Sequence, residues 1–211
     1  MPAFWSVPAT MAEKPFAEYA QRNAASILEI LDREFRACSN VLEIGSGTGQ
    51  HAVTFAAKLG HLQWQTSDLD GNHVGIKTWM EHAQLENVIA PLSLDVRTTG
   101  VDANAYDAAF SSNTAHIMGI EAVERMFSLL GTALCGGGVF CLYGPFRRDG
   151  KFNTQSNADF DAELRRRDPV MGIRDIELLD DFGAAAGMHR QRLYAVPSNN
   201  NVAVWQKGEL A

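Results

Sequence analysis

Cysteine is scarce in this sequence: only Cys38, Cys135 and Cys141 are present, and their odd number and irregular spacing suit neither a disulfide framework nor a zinc site. They read as free, partly buried thiols. Positive charge is in deficit, with 18 lysines and arginines against 25 aspartates and glutamates, a formal net charge of -7. That balance argues against a protein that binds nucleic acid by neutralising phosphates. The one basic run, Arg165-Arg166-Arg167, reads as the last turn of a helix, where arginines offset the C-terminal dipole. No apolar run approaches the roughly 20 residues a bilayer demands, so no membrane span is expected. The opening Met1-Pro2-Ala3-Phe4-Trp5-Ser6 lacks both a basic region and a long apolar stretch, so it does not read as a secretory signal and a cytoplasmic location is expected. His51, His61, His73, His82, His116 and His189 show no ligand spacing such as H-E-x-x-H, and no metal is expected. Internal repeats and low-complexity segments are missing as well.

What is present is the composition of an ordinary globule, 46% hydrophobic and 20% charged over 211 residues, about one domain of chain. Residues 16 to 35 place Phe16, Tyr19, Ala20, Ala24, Ile27, Leu28, Leu31 and Phe35 at three- and four-residue steps, which predicts an amphipathic helix docking this whole apolar side on a sheet. Asn40 to Ile44 is a short apolar strand meeting Gly45, after which Ala52, Phe55, Ala56 and Leu59 return to helical spacing until Gly60. The unit repeats through strands at 62–67, 88–94 and 106–111 and helices at 72–84 and 119–134, with Gly136-Gly137-Gly138 as the break before a strand at 139–143. This alternation predicts an α/β, Rossmann-like fold, a mostly parallel sheet with helices on both faces and ligands at the carboxyl ends of its strands. The end differs: the strand-like runs 190–196 and 202–206 are joined by only Pro197 to Asn201, too short for a parallel crossover, so an antiparallel hairpin brings the sheet to seven strands. One domain spanning 1–211 is expected, with 1–36 as an N-terminal helical cap and 144–174 as a lid-like insertion. That insertion carries its own helix, started by the capping box Ser156-Asn157-Ala158-Asp159 and stopped at Asp168-Pro169.

Gly45, Gly47 and Gly49 form G-x-G-x-G, whereas the dinucleotide fingerprint places its third glycine one residue later. Pyrophosphate needs backbone and a helix N-terminus close around two anionic groups. Glu43, two residues before the first glycine, would repel pyrophosphate but suits a cationic amino group. The sign of charge therefore favours S-adenosyl-L-methionine over a nicotinamide dinucleotide. Asp68 lies about 20 residues beyond the loop, where an acidic residue takes ribose hydroxyls in such folds, with Asp70 as its close competitor. For each acid the alternative is a turn or helix cap.

The segment Val41-Leu42-Glu43-Ile44-Gly45-Ser46-Gly47-Thr48-Gly49 is similar, almost letter for letter, to the glycine motif of class I S-adenosylmethionine-dependent methyltransferases. Over nearly its whole length the chain resembles the methyltransferase-like 26 group, long carried as a domain of unknown function. The matching segments are Arg22-Asn23, Ser67 to Asp70, Asn113 to Ile117, Tyr143 to Phe146, Asn153 to Asn157 with Phe160-Asp161, and Gly172 to Asp175; Ala20-Gln21 depart from a more acidic stretch. The resemblance implies the fold and the cofactor but no substrate. Its cofactor-binding set is Glu43, Gly45, Ser46, Gly47, Gly49, Asp68 with Leu69, Asp95 with Val96 near the adenine, and Asn113.

Methyl transfer is an in-line displacement, so the protein must align a nucleophile and, for a hydroxyl or ammonium, remove a proton. After the fourth strand comes Ser111-Ser112-Asn113-Thr114-Ala115-His116, not the Asn-Pro-Pro-Tyr sequence by which related enzymes hold an amino group. His116 is the candidate base, since an unperturbed imidazole titrates at about 6.5, and a merely structural histidine is the alternative. Asn113 is placed to position substrate or cofactor, or to cap a turn, and Tyr143 to line the pocket. Tyr19, Arg22 and Asn23 are expected to close over a small-molecule substrate together with the lid; Arg22 suits a carboxylate or phosphate, or forms a surface salt bridge. The expectation is thus a methyltransferase acting on a small acceptor. A non-catalytic protein binding S-adenosylmethionine or S-adenosylhomocysteine, and a nicotinamide-dependent oxidoreductase, are the alternatives. The oligomeric state is not legible in the sequence.

Overall fold

The computed structural model describes residues 14–209, so the opening hexapeptide and the first part of the 1–36 cap lie outside the described residues. In chain order the elements are α1 (Glu18–Glu34), β1 (Asn40–Ile44), α2 (Gln50–Ala56), β2 (Gln63–Asp68), α3 (His73–Ala83), β3 (Val88–Ser93), β4 (Tyr106–Ser112), α4 (Ile120–Ala133), β5 (Leu134–Gly144), β6 (Phe146–Arg147), α5 (Gln155–Arg167), β7 (Arg174–Asp175), α6 (Ile176–Ala185), β8 (Met188–Val196) and β9 (Asn200–Lys207). Seven strands form one sheet in the order β3-β2-β1-β4-β5-β9-β8. Strands β1 to β5 run parallel, and β9 is antiparallel to both β5 and β8. The expected α/β sheet with its terminal hairpin is therefore the sheet observed. A two-residue parallel pair, β6 with β7, closes the base of the α5 insertion.

The strand period of two sorts side chains into two cores. Val41, Ala108, Phe110, Cys141 and Val204 face α1 and α2, where Ile27, Leu31, Phe35 and Phe55 meet them. Leu42, Ala109, Phe140, Leu142 and Trp205 face α4 and α6, against Met126, Phe127, Leu130 and Leu179. Because both faces are covered, the central strands read as continuous apolar runs. The hairpin is fixed to α6 by Asp180, which accepts from Trp205 Nε1 at 3.0 Å and pairs with Arg190 at 2.8 Å. The three cysteines are free thiols, and burial pushes the Cys38 thiol up to about 12.

Three local expectations change. The helix α1 starts at Glu18, and Phe16 and Tyr19 stand 56% and 53% exposed instead of docking on the sheet. The docked stripe is Ala20, Ile27, Ile30, Leu31 and Phe35, and at the N-terminal end Ala17 N donates to Gln50 Oε1 of α2 at 3.0 Å. Gly136, Gly137 and Gly138 do not precede β5 but lie within it, where pairing jumps from Tyr106–Leu134 to Ala108–Val139. The surplus residues of β5 are accommodated as a bulge, which Gly137 at φ 77° permits. Helix α5 is capped by Thr154, whose side chain accepts from Asn157 N at 3.3 Å, and not by Ser156. Its last turn does contain Arg165, Arg166 and Arg167.

Candidate functional site

β1 ends at Ile44, and the chain reverses through Gly45, Gly47 and Gly49, all with positive φ, before entering α2. A Cβ on Gly45 would lie 2.7 Å from Thr114 Cγ2, and one on Gly49 would lie 2.8 Å from the Ile76 backbone. Sterics at both points, added to φ of +72° and +86°, leave room only for glycine. The loop is tied to the end of β2: Gly47 N donates to Asp68 Oδ2 at 2.7 Å and Ser46 N to the Ser67 carbonyl at 2.9 Å. The other Asp68 oxygen accepts from Leu69 N and Asn72 Nδ2 at 2.7 and 2.8 Å. Asp70, by contrast, exposes its side chain to solvent and approaches His73 only at 4.0 Å. Of the two competing acids, Asp68 is the one at the glycine loop.

A narrow cleft beside the loop is lined by Glu43, Gly45, Ser46, Gly47, Thr48, His51 and Ser112, with Tyr19 and Ala20 of α1 above it. Glu43 is 2% exposed. Ser46 Oγ and Trp64 Nε1 both donate to its Oε2, at 2.7 and 3.1 Å, so Oε1 has no protein partner among the described residues. Burial pushes this carboxyl up to about 7, against the opposing pull of those two hydrogen bonds. His51 Nε2 donates to the Ala20 carbonyl at 3.2 Å and lies 2.7 Å from Asn23 Oδ1, which joins α2 to α1. Burial lowers its pKa to about 4.

Next to the cleft lies a cavity of about 550 Å³. It is walled by Asn113, His116 and Ile117 after β4, Tyr143 and Pro145 at the end of β5, and Tyr19, Arg22, Asn23 and Ser26 of α1. Asn157, Phe160, Leu164 and Arg167 of α5 and Pro197, Ser198 and Asn200 of the β8–β9 turn complete it. Asn113 adopts φ 59° and donates its backbone N–H to the Tyr143 carbonyl at 3.0 Å, a left-handed residue ending a strand at the cavity wall. The Tyr143 hydroxyl accepts from Asn200 Nδ2 at 3.0 Å, and burial raises its pKa. His116 is 6% exposed and meets Phe160 edge-on, with ring centroids 5.3 Å apart. Burial, and secondarily the positive charge of Arg174, lower its pKa to about 4, so the ordinary imidazole value expected from the sequence does not hold here. Arg174 fixes the His116 loop by donating to the carbonyls of Ala115 (3.0 Å) and Met118, and ties it to the α5 insertion through the Val170 carbonyl (2.8 Å).

The predicted residues Tyr19, Arg22, Asn113 and His116 thus line one cavity, while Glu43, Gly45, Ser46 and Gly47 line the adjoining cleft. Asp68, Gly49, Asp95, Val96 and Leu69 line neither: Asp68 supports the loop from behind through Gly47 N, and Gly49 packs on the Ile76 backbone. Asp95 is engaged by Arg97 at 2.6 Å, whose hydrogen bonds hold the carboxyl down at about 2. Sequence reasoning missed His51, Asn157, Ser198 and Asn200. The signal for the last two was the reversed hairpin: placing β9 against β5 carries its leading turn to the carboxyl ends of the parallel strands.

The sequence of residues 14–207 matches the family described as protein of unknown function, DUF938. The fold is similar to an O-methyltransferase family protein from Burkholderia thailandensis, at 13% identity and TM-score 0.77 over 92% of this chain and 59% of that one. It is similar to human N-acetylserotonin methyltransferase in complex with S-adenosylmethionine, at 14% identity and TM-score 0.75 over 90% and 53%. The S-adenosylmethionine-dependent methyltransferase SibL matches at 19% identity and TM-score 0.75 over 90% and 56%. The chain spans somewhat more than half the length of these proteins, and at such identities the likeness is one of fold.

Proposed function

The chain belongs to the DUF938 family, and on that premise we propose that it is an S-adenosylmethionine-dependent methyltransferase acting on a small-molecule acceptor inside the cell, related to the methyltransferase-like 26 group. The observation that carries this reading is Glu43, a buried carboxylate beside the glycine loop whose Oε1 has no protein partner among the described residues. Such a group calls for a cation, and a methionine ammonium supplies one, whereas a pyrophosphate would meet like charge. Asp68, already holding Gly47, is the acid for the ribose hydroxyls. Asp95 with Val96, and Leu69, are the outer members of the set, at the adenine side.

When bound, S-adenosylmethionine supplies an electrophilic methyl group on a sulfonium sulfur. The residues of this chain then have three tasks. The glycine loop and Glu43 orient the donor; Tyr19 and Ala20, above the cleft, exclude water. Asn113, at the junction between cleft and cavity, positions acceptor against donor. His116, uncharged at neutral pH, offers a hydrogen bond to the acceptor. The 144–174 segment, through α5, forms the lid over the acceptor, within a single domain.

Calorimetric titration with S-adenosylmethionine, S-adenosylhomocysteine and NAD tests the reading. The first two are expected to bind in the micromolar range and NAD not at all, with affinity lost in Asp68→Ala. Binding of NAD alone, or of none of the three, overturns it. Turnover of a radiolabelled methyl group separates the enzyme from a protein that only binds the cofactor.

A further inference from the structure

The cavity has a one-signed lining. Arg22 of α1 and Arg167 of α5 contribute guanidinium groups, and among the described residues no aspartate or glutamate lines it, although the chain as a whole carries a net charge of -7. Among the described residues each arginine is paired only with a glutamate one helical turn away: Arg22 with Glu18 at 3.2 Å, with side chains 70% and 80% exposed, and Arg167 with Glu163, with side chains 65% and 44% exposed. Exposed pairs at this spacing are weak and easily exchanged for a bidentate oxyanion. Deeper in, the wall is uncharged: the edge-on pair of His116 and Phe160, Tyr143 and Asn113.

Resting on the methyltransferase reading for the role of the ligand, we propose that this cavity is the acceptor site and that it selects a small organic anion. Its oxyanion is gripped by Arg22 and Arg167 at the rim, and its apolar or aromatic body lies inward against Phe160 and His116. The oxyanion is a carboxylate or a phosphate monoester, since both match the guanidinium fork. A cationic acceptor finds no counter-charge in this cavity and is rejected. The cavity of about 550 Å³ admits a single small molecule and not a folded macromolecular surface.

The test uses the full chain with and without saturating S-adenosylhomocysteine, titrated with matched sets of equal size: indole-3-acetate, indole-3-acetamide and tryptamine, then benzoate, phenyl phosphate, benzamide and benzylamine. At least one acid is expected to bind tenfold or more tightly than its amide, with the amine weakest, and the better of carboxylate and phosphate identifies the oxyanion. In Arg22→Gln/Arg167→Gln the preference of acid over amide is expected to fall at least tenfold, with thermal melting as the check on folding. Equal binding of acid and amide, tighter binding of the amine, binding of no member, or an unchanged preference in the double variant overturns the proposal. Acid selectivity without any S-adenosylhomocysteine binding sinks the cofactor reading and leaves the anion site. S-adenosylhomocysteine binding without acid selectivity does the reverse.

Discussion

Glu43 couples burial to ligand charge within a single side chain. Its carboxyl, raised to about 7, is partly protonated at neutral pH, and a bound ammonium favours the ionised form. Affinity for S-adenosylmethionine is therefore expected to strengthen between pH 6 and 8. Glu43→Gln should abolish that slope and weaken binding by tenfold or more, about 1.4 kcal/mol, in calorimetry across the same range. The sign for stability is opposite: the folded protein retains a proton that the unfolded chain has lost, so this group costs stability as pH rises from the ordinary glutamate range through 7. Gly49 is a second decisive position. Gly49→Ala must place a Cβ 2.8 Å from the Ile76 backbone at φ +86°. It is expected to lose about 2–4 kcal/mol in urea denaturation, from left-handed strain plus overpacking.

At the scale of elements, the site depends on three segments that are not part of the parallel sheet: α1, α5 and the β8–β9 turn. The His116 loop is positioned by Arg174, at the end of the α5 insertion, through the backbone carbonyls of Ala115 and Met118. Arg174→Ala leaves those carbonyls without their donor in a buried setting. A loss of about 3 kcal/mol is expected, together with faster amide exchange at residues 114–118. A loss of stability without faster exchange there would show that the arginine supports the fold generally and not this loop. The α5 insertion also explains a local misreading of the sequence. Thr154 and Ser156 are both competent caps; Thr154 takes the role, and the Ser156 hydroxyl instead meets Thr154 Oγ1 and accepts from Asn199 Nδ2 of the β8–β9 turn.

At the scale of the molecule, acid response follows from two buried histidines and one buried carboxyl. His51 and His116, lowered to about 4 chiefly by burial, remain neutral in the folded protein where the unfolded chain takes up protons. Their contribution is complete above about pH 6.5 and is lost as pH falls through 4. Glu43 acts in the opposite direction over an overlapping window, but two groups outweigh one. The melting temperature is therefore expected to fall from pH 7 to pH 5, and His51→Asn/His116→Asn should flatten that fall relative to its own value at pH 7. An equally steep fall in the double variant would assign the acid response to other groups.

What the sequence by itself determined is local: strand and helix periods, the glycine spacing, and a five-residue connection too short for anything but a hairpin. Each depends on residues within one or two turns of each other, so the α/β sheet and the loop at 45–49 were readable without coordinates. Tertiary structure alone decided how α1, α5 and the β8–β9 turn converge over the strand ends, because those contacts join residues far apart in sequence, 42 positions for Asn157 with Asn199. It also decided the charge states of Glu43 and His116. Desolvation is set by side chains remote in sequence, so the titration that appeared ordinary in the linear chain is not ordinary in the fold.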